Sequence, residues 1–207
     1  MRILALSDRV VPFIDSINVK ESLPDVDLIL GCGDLPSRYL ELVLTVLNVP
    51  CVFVPGNHDR NNIKVPGARN ADGRLLEVLG LRILGLGGSP RYKSKGRHQY
   101  TERQMSRRAW RYLPGFYLNQ LRGSRSVDII LSHAPPRGIH DAHDPAHVGF
   151  QVFLKLMELA RPRLLAHGHT HVHPNLATTE TEFEDTLVVN VYPYKIIELP
   201  MEGMPRV

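Results

Sequence analysis

The sequence predicts an α/β fold in which two sheets pack face to face and helices cover the outer surfaces. Three observations support this prediction. Short apolar runs typical of buried strands dominate both ends of the chain. Segments whose apolar residues recur at helical spacing lie between them. Nearly every apolar run ends in a polar or glycine-containing cluster, and we expect one domain over residues 1–207.

The first half of the chain contains five apolar runs and one helical segment. The runs expected to form strands are Ile3–Leu6, Val26–Leu30, Cys51–Val54, Leu75–Leu79 and Arg82–Leu86. Apolar residues recur at helical spacing in Ser37–Leu47, which predicts a helix between the second and third strands. Gly80 separates the last two runs and therefore indicates a hairpin.

The second half begins with a predicted long helix at Thr101–Leu121. Thr101 and Gln104 resemble a capping box at its start, and Pro114 with Gly115 is expected to interrupt it. The remaining predicted elements are a strand at Val127–Leu131, a helix at Ala146–Leu159, a strand at Arg163–Ala166 and strands within Thr186–Leu199.

Composition limits the class of protein. The chain is 43% hydrophobic and 22% charged, which suits a folded globular protein. No uninterrupted apolar run approaches about eighteen residues, so we expect no membrane span, and the N-terminus resembles a first strand more than a signal peptide. Cys32 and Cys51 lie in apolar runs and are expected to be buried free thiols, which fits a cytoplasmic protein.

Charge and basic clusters leave the kind of anionic ligand open. A net charge of +4 suits a polyanionic substrate but is too small to indicate nucleic acid. Arg103, Arg107 and Arg111 would share one helix face, where they suit either a phosphate-rich ligand or simple solvation. We favour solvation, because aromatic residues are sparse around them.

Polar clusters at the ends of the apolar runs carry the candidate chemistry. The clusters are Ser7-Asp8, Gly33-Asp34, Gly56-Asn57-His58-Asp59, Ser132-His133 and Gly168-His169-Thr170-His171. Strand ends that meet at one sheet edge would bring these side chains together. Carboxylate, amide and imidazole ligands without thiolate suit Mn, Fe or Zn. His169 and His171 would share one face of an extended segment, where they can serve two adjacent ions bridged by Asp34.

Four of these motifs resemble the calcineurin-like metallophosphoesterases. They are GCGD at 31–34, GNHD at 56–59, SHAPP at 132–136 and HGHTH at 167–171, and they occur in the order found in that family. The resemblance implies a four-layer α/β/β/α sandwich of two mixed sheets flanked by helices. It also implies hydrolysis of a phosphomonoester or phosphodiester by a water molecule activated by two divalent metal ions.

The resemblance implies a role for each motif residue. The implied ligands are Asp34 as the bridge, Asn57, His133 and His169 at the second site, and Asp8 and His171 at the first site. His58 would lie near the leaving group, where it donates a proton or stabilises charge, and Asp59 would orient His58 and raise its pKa.

One position departs from the family pattern. The first motif is Asp-x-His in the family, but Val10 stands in place of its histidine. Valine has no donor atom, so we expect the second site to bind metal more tightly than the first. The loop Gly138–Val148 contains histidines that can replace the missing ligand, and His140 is the candidate for contact with metal or substrate. The competing interpretation is a solvated loop in which Asp144 caps the next helix and Pro145 is its first residue.

Two other functions compete with a general phosphoesterase. Proteins of this fold that have lost metal ligands can act as scaffolds, and Val10 is a step in that direction. A nuclease ranks lower, because the chain has no obvious additional region for binding DNA. The identity of the substrate, the native metal and the oligomeric state stay open at this stage.

Overall fold

The computed structural model describes residues 1–121, 125–171 and 178–200, and these residues form two large sheets with helices on both outer faces. The strands are β1 (Arg2–Leu6), β2 (Leu28–Gly31), β3 (Cys51–Phe53), β4 (Arg69–Asn70), β5 (Arg74–Val78), β6 (Leu81–Leu86), β7 (Ser89–Pro90), β8 (Gln99–Tyr100), β9 (Ile129–Ser132), β10 (Leu164–His167), β11 (Glu180–Phe183), β12 (Thr186–Asn190) and β13 (Tyr194–Glu198). The helices are α1 (Val19–Ser22), α2 (Ser37–Leu47), α3 (Glu102–Trp110), α4 (Leu113–Leu121) and α5 (Gln151–Ala160). Within these ranges no helix is long and apolar enough to cross a membrane.

Both large sheets are mixed, with parallel strands at their centres. The first sheet has the order β13-β1-β2-β3-β4, and β1, β2 and β3 run parallel. The second has the order β11-β12-β10-β9-β6-β5, and β12, β10, β9 and β6 run parallel. Antiparallel strands lie at three of the outer edges, where β13 pairs with β1, β11 with β12 and β5 with β6, whereas β4 pairs in parallel with β3 at the fourth. The carboxyl ends of the parallel strands in each sheet therefore lie at one edge.

Alternation along the strands builds three apolar clusters. Ile3 and Ala5 of β1 belong to the cluster buried between the two sheets, whereas Leu4 and Leu6 pack with α1 and α2. Ile130 of β9 belongs to the third cluster, together with residues of α3, α4 and α5. The result is the α/β/β/α sandwich of four layers that the sequence predicted.

Several local predictions are confirmed. Helix α2 has the predicted bounds, and Thr101 begins α3 with a capping box completed by Gln104. The hairpin between β5 and β6 turns on Leu79 and Gly80, with φ angles of 52° and 77°. Positive φ at both residues is what a two-residue hairpin turn of type I′ requires. The two cysteines are buried free thiols.

The predicted long helix is divided earlier than expected. It breaks between α3 and α4 at Arg111 and Tyr112, and Pro114 lies in the first turn of α4. Proline is tolerated there because the first N–H groups of a helix have no partner within the helix.

The start of α5 was also predicted wrongly, and the short elements α1, β4, β7 and β8 and the strand β11 were not predicted. Helix α5 begins at Gln151 instead of Ala146, because Asp144 accepts N–H bonds in a separate turn ahead of it. The carboxylate of Glu102 accepts the N–H groups of Gln151 and Val152, at 3.2 and 2.7 Å, and so takes over the capping. Strand β11 was missed because it lies at the sheet edge and alternates between exposed and half-buried residues.

Candidate metal centre

The polar clusters converge where the two sheets meet. The candidate side chains come from Asp8 after β1, Asp34 after β2, Asn57 after β3, His133 after β9, and His169 and His171 after β10. Several hydrogen bonds join the sheets at this edge, and two of them involve backbone groups. His133 Nδ1 lies 2.7 Å from the carbonyl oxygen of Cys32, and the N–H of His169 donates to Asp8 Oδ2 at 2.9 Å.

His133 lies at the centre of a group of acceptors. Because its Nδ1 faces the Cys32 carbonyl, that nitrogen carries a hydrogen, and Nε2 is the nitrogen whose lone pair can face a metal ion once it is deprotonated. Nε2 lies 3.0 Å from Asn57 Oδ1 and 3.3 Å from Asp34 Oδ2. One ligand atom each of Asp8, Asp34 and His133 lies within 4.8 Å of the others. Acceptors that face one another need a cation between them, so this donor set fits a metal ion.

Neighbouring groups orient two more candidate ligands. Asn57 Nδ2 donates to the hydroxyl of Tyr92 at 3.1 Å, which leaves Oδ1 facing His133. His169 Nε2 lies 2.6 Å from the carbonyl oxygen of Ala146, so Nε2 carries the hydrogen and Nδ1 the lone pair. Backbone carbonyls that accept the second N–H of a ring are common behind histidine ligands in metal sites.

The candidate first site is more open. His171 Nε2 lies 3.4 Å from Asp8 Oδ1, and the His171 ring is largely exposed and stacks on Tyr192. Val10 is half-buried and packs against the apolar cluster under the first sheet, where it offers no donor. The expectation of fewer protein ligands on this side stays a prediction.

Three of the candidate ligands have a strained backbone conformation. Asp8, Asp34 and His169 have φ angles of 62°, 55° and 67°, in the left-handed region that non-glycine residues rarely adopt. A Cβ atom at Gly56 would overlap the Asp34 carboxylate, and one at Gly168 would overlap the Asp8 carboxylate. Such strain costs about 1–3 kcal/mol per residue and clusters at functional sites.

Asp8, Asp34 and His133 shift one another's pKa values. Burial alone would raise the pKa of Asp8 and Asp34, but hydrogen bonds and the charge of His133 hold both pKa values below the ordinary range. Burial alone would lower the pKa of His133, but the hydrogen bond to Asp34 and the charges of Asp8 and Asp34 raise it to about 9. At neutral pH a proton on His133 therefore takes the place of a cation among these groups.

His58 and Asp59 have different surroundings from each other. His58 is exposed and borders the cleft, and its backbone N–H donates to Asp34 Oδ1 at 2.8 Å. Asp59 Oδ2 accepts the N–H groups of Asp34 and Gly56, at 2.9 and 2.8 Å. Among the hydrogen bonds of the described residues none joins Asp59 to the His58 imidazole. The Asp59 carboxylate therefore fixes the backbone of two loops instead of orienting His58.

His140 takes part in a hydrogen-bond chain behind the cleft. Its Nε2 lies 2.9 Å from Thr181 Oγ1, its Nδ1 lies 3.1 Å from His167 Nε2, and His167 Nδ1 lies 3.0 Å from the Gly168 carbonyl. Burial lowers the pKa of both histidines, that of His167 to about 3, so each is neutral at pH 7. His140 is not among the described residues that line the cleft, and its expected contact with metal or substrate stays a prediction.

A cleft of about 320 Å³ opens over the candidate ligands. The fully buried His133 does not line it, and besides the other candidate ligands and His58 the lining includes Tyr92, Ala146 and His147. Sequence reasoning did not assign Tyr92 and His147 to the site. The basic stretch around Tyr92 and the histidine-rich loop containing His147 were visible, but neither pattern indicates which of its residues face the cleft.

Comparison with known proteins gives a consistent result. A profile of the family described as calcineurin-like phosphoesterase matches residues 1–173. The lariat debranching enzyme of Drosophila pseudoobscura is 31% identical over a match that covers 62% of this chain and 31% of that enzyme. An uncharacterised protein of Methanocaldococcus jannaschii is 23% identical, covering 84% of this chain and 81% of that protein. The solved structure of TT1561 from Thermus thermophilus has a TM-score of 0.59 at 17% identity, and the match covers 92% of this chain and 88% of that one. The chain thus spans less than a third of the length of the debranching enzyme.

Proposed function

We propose that this chain, which belongs to the calcineurin-like phosphoesterase family, is a metal-dependent hydrolase of phosphoesters. One observation supports the proposal above the others. When His133 is deprotonated at Nε2, Asp34, Asn57 and His133 direct acceptor atoms at one another beside Asp8, an arrangement that is unfavourable without a cation.

Two divalent ions would be held by residues from both sheets. The proposed second site is Asp34, Asn57, His133 and His169, and the proposed first site is Asp8, Asp34 and His171. When bound, the ions would supply Lewis acidity to the phosphoryl oxygens and lower the pKa of a water molecule. The oxygen-rich and nitrogen-rich donor set suits Mn, Fe or Zn.

The reaction proposed is direct hydrolysis without a covalent enzyme intermediate. The oxygen of water forms a bond to phosphorus as the bond from phosphorus to the leaving oxygen breaks. His58 borders the cleft and is proposed to give its proton to that oxygen, and the proton lost by water is later returned to solvent. The backbone bond from His58 to Asp34 keeps this loop fixed against the candidate ligands.

An aryl ester assay tests this function. We expect Mn²⁺-dependent hydrolysis of bis(4-nitrophenyl) phosphate or 4-nitrophenyl phosphate, and loss of at least about 100-fold in kcat/KM in Asn57→Ala. Asn18→Ala is the matched control, because Asn18 is exposed and its side chain makes no capping hydrogen bond. Since one relative is a lariat debranching enzyme, a branched nucleic acid belongs in the same screen.

A scaffold function is the second candidate, and Val10 is the observation that favours it. A scaffold does not need the aligned acceptors of Asp34, Asn57 and His133. Metal analysis of the purified protein separates the two functions. Protein that binds no divalent ion and hydrolyses none of the esters would favour the scaffold and overturn the proposal.

A further inference from the structure

A second cleft adjoins the metal cleft and has a different lining. It encloses about 650 Å³ between the start of α2 and the loop that follows β3. The residues that line it are Asp34, Leu35, Pro36, Ser37, Arg38, His58, Asp59, Arg60, Asn61, Asn62, Ile63 and Lys64. Asp34 and His58 line both clefts, so the two form one continuous depression.

The second cleft is rich in cations. Arg38, Arg60 and Lys64 are exposed, and the structure shows no carboxylate paired with any of them among the residues it describes. Both acidic residues of the lining are already engaged, because Asp59 accepts two backbone N–H groups and Asp34 faces His133. A concave surface with unpaired charges of one sign concentrates ligands of the opposite sign.

His58 links the second cleft to the reaction, because it lines both clefts. This step rests on the proposed function, in which His58 protonates the leaving oxygen. A group that leaves toward His58 extends past the border between the clefts, away from Asp8 and into the second cleft. We infer that this cleft binds the leaving group and selects substrates whose leaving group carries a further phosphate.

The other side chains of the cleft support a phosphorylated leaving group. Ser37, Asn61 and Asn62 are polar groups that suit the oxygens of a phosphate or a sugar. The described residues of the lining include no Phe, Tyr or Trp on which a base could stack. The second phosphate, rather than a base, is therefore the feature that this cleft recognises.

Three diesters test the inference in the Mn²⁺-loaded protein. They are dithymidine monophosphate, the same compound with a 5′ phosphate, and the same compound with a 3′ phosphate. We expect one phosphorylated form to be cleaved with a kcat/KM at least about tenfold above the unphosphorylated form. The double variant Arg60→Gln, Lys64→Gln should lower this ratio by about five- to tenfold, whereas Lys155→Gln, an exposed charge on α5, should leave it unchanged. Equal cleavage of the three diesters, or a preference that survives in the double variant, would overturn the inference.

Binding without metal separates this inference from the proposed function. In EDTA the carboxylates of Asp8 and Asp34 disfavour an anion in the metal cleft, whereas the second cleft keeps its cations. We expect thymidine 3′,5′-bisphosphate to bind the metal-free protein in calorimetry, with a Kd at least about fivefold weaker in the double variant. Absence of binding contradicts the inference even if aryl esters are hydrolysed. Binding that depends on Arg60 and Lys64, without hydrolysis of any ester, supports the anion cleft and contradicts the proposed function.

Discussion

The stability of the metal-free protein should fall as the pH rises above neutrality, and His133 is the cause. The imidazole titrates near pH 6.5 in an unfolded chain, and Asp34 and Asp8 raise its pKa to about 9 in the folded protein. A pKa that is higher in the folded state means that the proton stabilises the fold. That stabilisation is complete below pH 6.5 and is lost as the pH rises through 9.

The size of the effect follows from the two pKa values. A difference of about 2.5 pH units corresponds to about 3 kcal/mol of stability, of which about 2 kcal/mol is lost between pH 7 and pH 8.5. Solvent does not screen the interaction of His133 with the two carboxylates, because the His133 side chain is fully buried. Burial also raises the pKa of Cys32 and Cys51, so their thiols ionise more readily in the unfolded chain and add a smaller fall in stability near pH 8.5. The comparison with a His133 variant removes this contribution.

Urea unfolding in EDTA measures the effect at a series of pH values. We expect the unfolding free energy of the unaltered protein to fall by about 2 kcal/mol over this range, and His133→Gln to show a much flatter dependence. His143→Gln is the matched control, because His143 is exposed and lies outside the cleft lining. A flat profile in the unaltered protein, or the same slope in His133→Gln, would refute the reasoning. Bound Mn²⁺ should suppress the slope, since the ion replaces the proton.

Three further predictions concern single residues. His58→Ala should lower kcat by about 10²–10⁴-fold on an ester with a poor leaving group, while the metal content measured by mass spectrometry stays unchanged. An unaltered rate would show that His58 does not take part in the reaction. Val10→His should tighten the weaker of two Mn²⁺ binding steps by about 10–100-fold, and two equally tight steps in the unaltered protein would contradict this. Glu102→Ala should lower the unfolding free energy by about 1–2 kcal/mol in urea titrations, because the N–H groups of Gln151 and Val152 lose their acceptor. An unchanged free energy would show that water fully replaces the Glu102 carboxylate as acceptor.

The layered fold was predictable from the sequence because it depends on local patterns. The continuous apolar runs of β1 and β9 are typical of strands buried on both faces, and the spacing in Ser37–Leu47 is typical of an amphipathic helix. The start of α5 was not predictable, because its capping group is the carboxylate of Glu102 on another helix. A contact between residues so far apart along the chain leaves no local signal.

The loop around His140 shows a different limit of sequence reasoning. Its histidines indicated a polar role, but not which of them faces the cleft. His147 lines the cleft, with its ring 5.1 Å from that of His169, whereas His140 contacts His167 and Thr181. Thr181 lies on β11, a strand that the sequence pattern did not predict, so the sequence could not identify the hydrogen-bond partner of His140.

The distribution of ligands between the sheets links metal binding to the packing of the fold. The acidic and amide ligands, Asp8, Asp34 and Asn57, follow strands of the first sheet, and the imidazoles of His133, His169 and His171 follow strands of the second. Neither sheet alone presents both kinds of ligand, so an ion bound here would draw the two sheets together at this edge. An ion that binds only the folded state, present at about 100 times its Kd, stabilises by about 2.7 kcal/mol. The ion and the proton on His133 neutralise the same carboxylates, so they stabilise the fold in competition with each other. Mutations that separate the sheets, even far from the cleft, should therefore weaken metal binding together with stability.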